Sequence, residues 1–473
     1  MWSRKNLIVL VSALAGPVFG QAVSDNSAPV IVVEKDAVRI ADTPPAAPSD
    51  YAETWFDGME SLTIDQVILQ VVGNNDRAAA AHFMQEAAER RVSAEGVWDD
   101  PMLMLGAQNV PTNFDFEMDP MTMRMIGLSQ NIPYSGYKGL EKKAARAEAR
   151  AAFQERRETE IDLVAAAKSA FFEVYFLRQN MVELKRQHEI LEQVFATSTA
   201  KLRVNQAGQD EVLGAQADIW RLEIAILSTE QEITSAINRL NSLRGAEPEA
   251  PLPSLVEPPM PSLPASADNW IAVAERIYPP LLRLNEKAEG YEFSARSSRR
   301  MAWPMLELGA SYGFRSGVNI GAGGMSENRD DMVNFQATIS LPIFSIGKQR
   351  SMARSMEWMG RSAESEFAQL RRDTRAELLT LYQRARRLSQ TLDSYRDRII
   401  PATEDAFRSA LAGYAANRTT FALLSSFGLA LYRDRLTSNQ VAYDLARTFV
   451  EIERFAEGTT RWDRETEDFE QEK

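Results

Sequence analysis

Few residues in this sequence have the types and spacing that chemistry needs. The two histidines, His82 and His188, lie far apart and cysteine is absent, so the chain offers no clustered metal-ligand set of the usual kind. His188 falls on a predicted helix-core position, where a satisfied polar core residue is the plainer reading. Thioether sulfur suits soft Cu(I), which draws the eye to Met102, Met104, Met118, Met121, Met123 and Met125. They flank predicted strands and an outer loop, however, where flexible packing or lipid-facing roles are the simpler expectation. The glycine-rich run from Gly317 to Gly324 lacks the Lys-Ser/Thr that completes a phosphate-binding loop and reads as an extracellular loop between strands. No Gly-x-Ser-x-Gly elbow, zinc motif or supported triad appears, so no catalytic residue, resident metal or cofactor is expected. An acidic pair remains: Asp210 and Glu211, just beyond a turn marked by Asn205. Their plain role is to occupy the first turn of a helix, where negative charge favours the positive dipole end.

The elements that would position these residues are written twice. Each half has a helix, two short alternating segments, then two very long helices. Pro101-Met-Leu-Met-Leu-Gly-Ala107 and Gly127-Leu-Ser-Gln-Asn-Ile-Pro133 bound the strand pair of the first half. Pro304-Met-Leu-Glu-Leu-Gly-Ala310 and Thr338-Ile-Ser-Leu-Pro342 bound that of the second. Pro133 with Gly136, and Pro342 with Gly347, mark the strand-to-helix junctions. The first repeat is expected over 61–246, with strands at about 101–110 and 122–132 and long helices at about 138–204 and 208–244. The second is expected over 266–458, with strands at about 304–315 and 332–344 and long helices at about 349–414 and 419–457, interrupted near Pro401. A proline-rich linker at 247–265 joins them, and it can be neither regular helix nor central strand.

The long segments read as coiled coil. From Leu163 the core steps through Ala167, Ala170, Val174, Leu177, Met181, Leu184, His188, Leu191, Phe195, Ser198 and Leu202. At 1.5 Å per residue the helix over 138–204 would be ~100 Å long, suited to a rod that crosses the periplasm. The short segments instead alternate with period two: Leu306, Leu308, Ala310, Tyr312 and Phe314 against Met305, Glu307, Gly309, Ser311 and Gly313. Apolar-out and polar-in over ~10 residues is the pattern of a membrane barrel strand. In the first half the pattern is weaker, and 122–132 alternates poorly.

Residues 1–22 read as a secretory signal: Arg4 and Lys5 precede an apolar run from Leu7 to Ala15. Residues 23–60 show no sustained period and are expected to be extended; 459–473 form a polar tail. No later stretch approaches the ~20 apolar residues of a transmembrane helix, so a span must be a β-barrel. Absence of cysteine excludes disulfides and a lipid-anchored cysteine. The net charge of −13 argues against nucleic-acid binding. Four strands cannot close a barrel, and open edges in hydrocarbon would each leave backbone groups unsatisfied. Copies must therefore share one barrel, and closure alone does not choose between two copies and three.

Over nearly the whole mature chain the sequence resembles the TolC-like outer-membrane efflux factors. The resemblance rests on Leu62-Thr-Ile-Asp-Gln66, Asn74-Asn-Asp-Arg77, the duplicated strand and proline elements, and two helix-turn boundaries, 203–216 and 414–424. It implies a mainly α protein with membrane β: a homotrimer sharing a twelve-stranded barrel in outer-membrane lipid, on an α-helical tunnel extending into the periplasm. The implied partners are a periplasmic membrane-fusion adaptor and an inner-membrane pump of the RND type. Pro101-Met-Leu, Asn109-Val-Pro111, Asp119-Pro-Met-Thr-Met123 and Ser129-Gln-Asn-Ile-Pro133 resemble the branch that serves heavy-metal pumps.

The resemblance also implies a periplasmic gate at Tyr414, Asn417 and Arg418. Where well-known members carry two pore-ringing aspartates this chain has Leu423 and Ser426. Asp210 and Glu211 are the replacement candidates, because threefold symmetry would make either a ring able to select cations. The alternatives are a drug or type I polypeptide exit duct, and a non-channel coiled-coil surface protein.

Overall fold

The computed structural model describes residues 61–456 apart from 113, 115, 117, 118, 120, 316–317, 321–324 and 328. The expected signal, the 23–60 segment and the polar tail lie outside the described residues, as do parts of the glycine-rich loop. In chain order the elements are β1 (Ser61–Leu62), α1 (Ile64–Asn74), α2 (Asp76–Glu95), β2 (Met102–Gln108), β3 (Met123–Ile132), α3 (Tyr137–Arg203) and α4 (Gln209–Leu243). There follow β4 (Ser254–Leu255), α5 (Asp268–Ile277), α6 (Pro279–Arg300), β5 (Met305–Arg315), β6 (Val318–Ile320), β7 (Met325–Glu327) and β8 (Met332–Ser340). The chain continues through α7 (Ser345–Ser394), a π-helical turn (Tyr395–Ile399), α8 (Ile400–Ala415) and α9 (Phe421–Glu453).

Four strands form one antiparallel sheet in the order β2-β3-β5-β8. The helices attached to them pack in the same order, α2 on α3, α3 on α6 and α6 on α7, so the helical layer prolongs the sheet. Gly136 at φ 76° turns the chain from β3 into α3 and stands at the helix start without a side-chain cap. The second junction differs from expectation. Helix α7 begins at Ser345, so Gly347 lies inside its first turn, and β8 ends at Ser340, ahead of Pro342. Pro342 supplies the carbonyl that accepts from the Ile346 amide at 3.1 Å.

Pairing register sorts the strand residues onto two faces, because antiparallel partners point the same way. One face carries Leu103, Leu105, Ile126, Leu128, Leu308 and Phe335, all exposed. The opposite face carries Met, Gly, Ser, Asn, Gln, Thr, Glu307 and Arg315, and on β3 it is the enclosed one: Met123, Gly127 and Ser129 are buried while Ile126 and Leu128 are exposed. Segment 122–132 therefore alternates in the fold although it does not alternate in hydrophobicity, since methionine and isoleucine are both apolar. The extra hairpin β6–β7 lies beyond β5, in the segment expected to be a loop between strands.

The long helices bury their coiled-coil seam. Leu163, Ala167, Ala170, Val174, Met181, Leu184, Leu191 and Ser198 of α3 are buried. His188 is only half-buried, its ring nitrogens 3.9 Å from Glu192 and 3.7 Å from Glu223. The interruption expected at Pro401 takes the form of the π-helical turn, closed by the Ile400 amide on the Tyr395 carbonyl. Widening the helix there accommodates a proline that has no amide hydrogen to return, and α8 starts with Pro401 in its first turn.

The proline-rich linker is tied down rather than free. Its proline-free step, β4, pairs in parallel with β1, and Tyr382 donates to the Ala265 carbonyl at 2.7 Å. At its head Arg244 is buried, donating to Gln70 at 2.7 Å and Asn241 at 3.1 Å. Burial pushes its guanidinium down to about 10. Arg244→Met should lower stability by about 1–3 kcal/mol, since Gln70 and Asn241 lose their donor; thermal melting of the helical signal checks it. The two sheet faces predict a second asymmetry. Phe335→Arg should destabilise the assembled protein by about 2–4 kcal/mol if that face meets lipid, while Gln336→Arg, one residue away on the other face, should leave its heat resistance nearly unchanged.

Candidate functional site

Two helical hairpins, α3–α4 and α8–α9, end in turns built alike. Asn205 (φ 56°) and Asn417 (φ 58°) each take the left-handed conformation just past a long helix. In the first turn the Gln206 amide returns to the Lys201 carbonyl at 2.8 Å, and in the second the Arg418 amide returns to Gly413 at 2.8 Å. These are Schellman closures that satisfy the last carbonyls of each helix. Counted from the two asparagines, Gly208 matches Thr420 and Glu211 matches Leu423. Thr420 caps α9 by accepting from the Leu423 amide, whereas Gly208 has no side chain with which to cap α4. Asp210 and Glu211 occupy that uncapped first turn, where their charge offsets the exposed amides.

Tyr414 joins the two hairpins. Its side chain is 3% exposed, and its hydroxyl donates to Glu211 Oε2 at 3.0 Å and lies 2.9 Å from Ser198 Oγ. Lys201 sits over the ring, 3.7 Å from its centroid, and donates to the Tyr414 carbonyl. Phe421 meets the ring edge-on at 6.4 Å. Asn417 donates to Gln206 Oε1 at 3.1 Å, and Ser425 donates to Asp218 at 3.2 Å. Tyr414, Asn417 and Ser425 each donate from the second hairpin to the first, and Lys201 donates in the opposite direction. Burial, with the Glu211 carboxylate nearby, raises the Tyr414 hydroxyl above its ordinary pKa, against an opposing hydrogen bond from Ser198.

Of the residues singled out from sequence, Glu211, Tyr414 and Asn417 come together. Asp210 is exposed on the outside of the same turn, and the Arg418 side chain is exposed as well. Ser198, Lys201, Gln206, Asp218 and Ser425 belong to the cluster and were not anticipated. Only Ser198 had a sequence signal, as a polar residue on the coiled-coil seam.

Tyr414→Phe keeps the ring and removes the hydroxyl. Bonds to charged groups contribute roughly 1.5–3 kcal/mol, so amide exchange at 198–214 and 410–424 should speed up about tenfold or more. The pH sign follows from the raised pKa. The latch holds in full below the ordinary tyrosine value of 10.0 and weakens as pH rises through the higher folded value. Protection factors at the tip, exchange corrected for its base-catalysed intrinsic rate, should therefore be flat from near-neutral to mildly alkaline pH and fall only in strong alkali.

Residues 289–455 match the outer membrane efflux protein family. Solved structures match the fold over most of the chain. CusC, reported for conformational changes accompanying folding and transmembrane channel formation, has a TM-score of 0.69 at 15% identity, covering 88% of this chain and 98% of its own. The outer-membrane channel OprN gives 0.67 at 16%, over 84% and 90%. The Neisseria gonorrhoeae MtrE outer membrane channel in its open state gives 0.68 at 15%, over 85% and 91%. No curated protein matches by sequence.

Proposed function

We infer that the chain, whose residues 289–455 match the outer membrane efflux protein family, is one of three subunits of a passive exit duct in a tripartite efflux system. The observation that carries this reading is the open sheet. Its edge strands β2 and β8 are exposed along their whole length and run antiparallel to each other, so β8 of one copy can extend onto β2 of the next. Three copies give a twelve-stranded barrel with a lumen. The tunnel helices support the same assembly: α4 leaves Leu213, Trp220, Ile224 and Leu227 exposed at coiled-coil spacing, an apolar seam that a neighbouring subunit would cover.

In this reading the hairpin tips face the periplasm, where a membrane-fusion adaptor and an RND-type inner-membrane pump dock. Heavy-metal cations are the cargo the sequence resemblance names. The subunit conducts without chemistry of its own. The Tyr414 cluster is the gate latch, with Glu211 and Asn417 bonded across the two hairpins and Arg418 exposed beside it, and opening requires the α8–α9 hairpin to leave the α3–α4 hairpin. Asp210, exposed at the turn, supplies a threefold ring of negative charge.

Planar-bilayer recording of the purified protein separates these roles. Glu211→Ala should raise the resting conductance because the latch loses its acceptor. Asp210→Ala should leave conductance nearly unchanged and lower cation-over-anion selectivity. Unchanged selectivity would leave Asp210 only its role at the helix dipole, and a soluble, non-conducting protein would overturn the duct.

A further inference from the structure

An exposed aromatic stands at each of the four places where a long strand meets a helix. Trp98 lies between α2 and β2, Tyr134 between β3 and α3, Trp303 between α6 and β5, and Phe344 between β8 and α7. Strand register brings all four junctions to one end of the sheet. Aromatic rings gathered at one end of a membrane sheet mark the level of the lipid headgroups.

The adjoining turns of α3, α6 and α7 carry cations, and their contacts place them on one face of the helical layer. On α6, Arg296, Arg299, Arg300 and Trp303 follow at the three- and four-residue steps of a single helix face, and all are exposed. Beside them Phe293 has Arg296 6.0 Å from its ring centroid and Lys143 of α3 at 5.6 Å. Arg146 lies one turn along α3 from Lys143 and is exposed with it. Toward α7, Arg299 pairs with Glu357, and the helix face that holds Glu357 also carries Arg350, Arg354 and Arg361, all exposed. Glu292 and Glu357 are taken up by Arg296 and Arg299. Lys143, Arg146, Arg300, Arg350 and Arg354 have no carboxylate within ion-pair distance among the described residues. The other side of the layer is concave, because α2, α3 and α6 together line a hollow there with Met84, Ala144, Glu148 and Tyr291. The cations therefore occupy the convex side, which a tube turns outward.

We propose that Lys143, Arg146, Arg300, Arg350 and Arg354, with Trp303, form a belt that binds the headgroups of anionic phospholipids in the periplasmic leaflet of the outer membrane. Charge complementarity selects this occupant. Phosphatidylglycerol and cardiolipin bring net negative charge to a surface with unpaired cations, whereas the ammonium of a zwitterionic lipid cancels its phosphate. Guanidinium groups match phosphate oxygens with two parallel N–H donors, and Arg300 also stands 5.2 Å from the Trp303 ring centroid, so ring and cation meet one headgroup together. The belt rests on the barrel reading above, which sets the strand-to-helix junctions at the periplasmic surface of the bilayer.

The test reconstitutes the full chain in phosphatidylcholine vesicles and uses electron spin resonance to measure the spin-labelled lipid held at the protein surface. The label is carried by phosphatidylglycerol in one sample and by phosphatidylcholine in the other. Phosphatidylglycerol should be preferred about fivefold at low salt, the effect of roughly one cation at the headgroup, and the preference should shrink as salt rises. R300Q/R350Q/R354Q should lose most of it. R300K/R350K/R354K, which keeps the charge, should retain most of it, which separates charge from folding. Equal association of the two lipids with the unmodified chain, as when protein covers this face, would overturn the belt. So would an undiminished preference in the glutamine variant. Potassium conductance of the same vesicles reads the duct separately: conductance without the lipid preference sinks only the belt, and the preference without conductance sinks only the duct.

Discussion

Unpaired backbone at the sheet edges is the constraint on which the rest of this structure depends. A sheet of four strands with both edges open leaves the outer amide and carbonyl groups of β2 and β8 outside its pairing, and in the barrel proposed above hydrocarbon could not satisfy them. Partners in other copies are the remedy, and the up-and-down order makes it simple because the two edges are already antiparallel. The helical layer inherits this geometry. Since α2, α3, α6 and α7 follow the order of their strands, whatever closes the sheet also closes the helices into a tube.

At the far end of the long helices the problem reverses. In place of strand pairing, a few polar contacts tie the tip where the two hairpins meet. Tyr414 is buried against Lys201, Ser198 and Glu211, and each comes from the first hairpin. The duplicated turns show how the asymmetry arose. Glu211 and Leu423 occupy matching positions, but only the first repeat puts a carboxylate there, and only the second puts a tyrosine on the opposing helix. Such a contact spans two repeats and can break as a unit when one hairpin moves.

Much of this is legible in the sequence. The coiled-coil seam of α3 could be stepped from Leu163 to Leu202, and the alternation of Leu306 to Phe314 gave the faces of β5. What was hidden had physical reasons. Met123 and Met125 blurred the alternation of β3 because hydrophobicity does not separate methionine from isoleucine; only register divides them. Pro401 suggested a break, but a π-helical turn of five residues absorbed it. Helix α7 begins at Ser345, ahead of the expected 349, so Gly347 does not repeat the role of Gly136. The bond from Tyr414 to Glu211 joins residues more than two hundred positions apart, and no local pattern announces it.

Shared closure of the sheet is the central claim, and the absence of cysteine makes it directly measurable. Cysteine placed at Leu105 on β2, paired in turn with cysteine at Val333, Phe335 or Ala337 on β8, samples successive registers of the same face. Oxidation of protein in outer membranes should give, for the matching register, a ladder of linked dimers and trimers that stops at three copies. Links formed only within single chains, or no links in any register while the protein remains folded, would contradict the shared barrel.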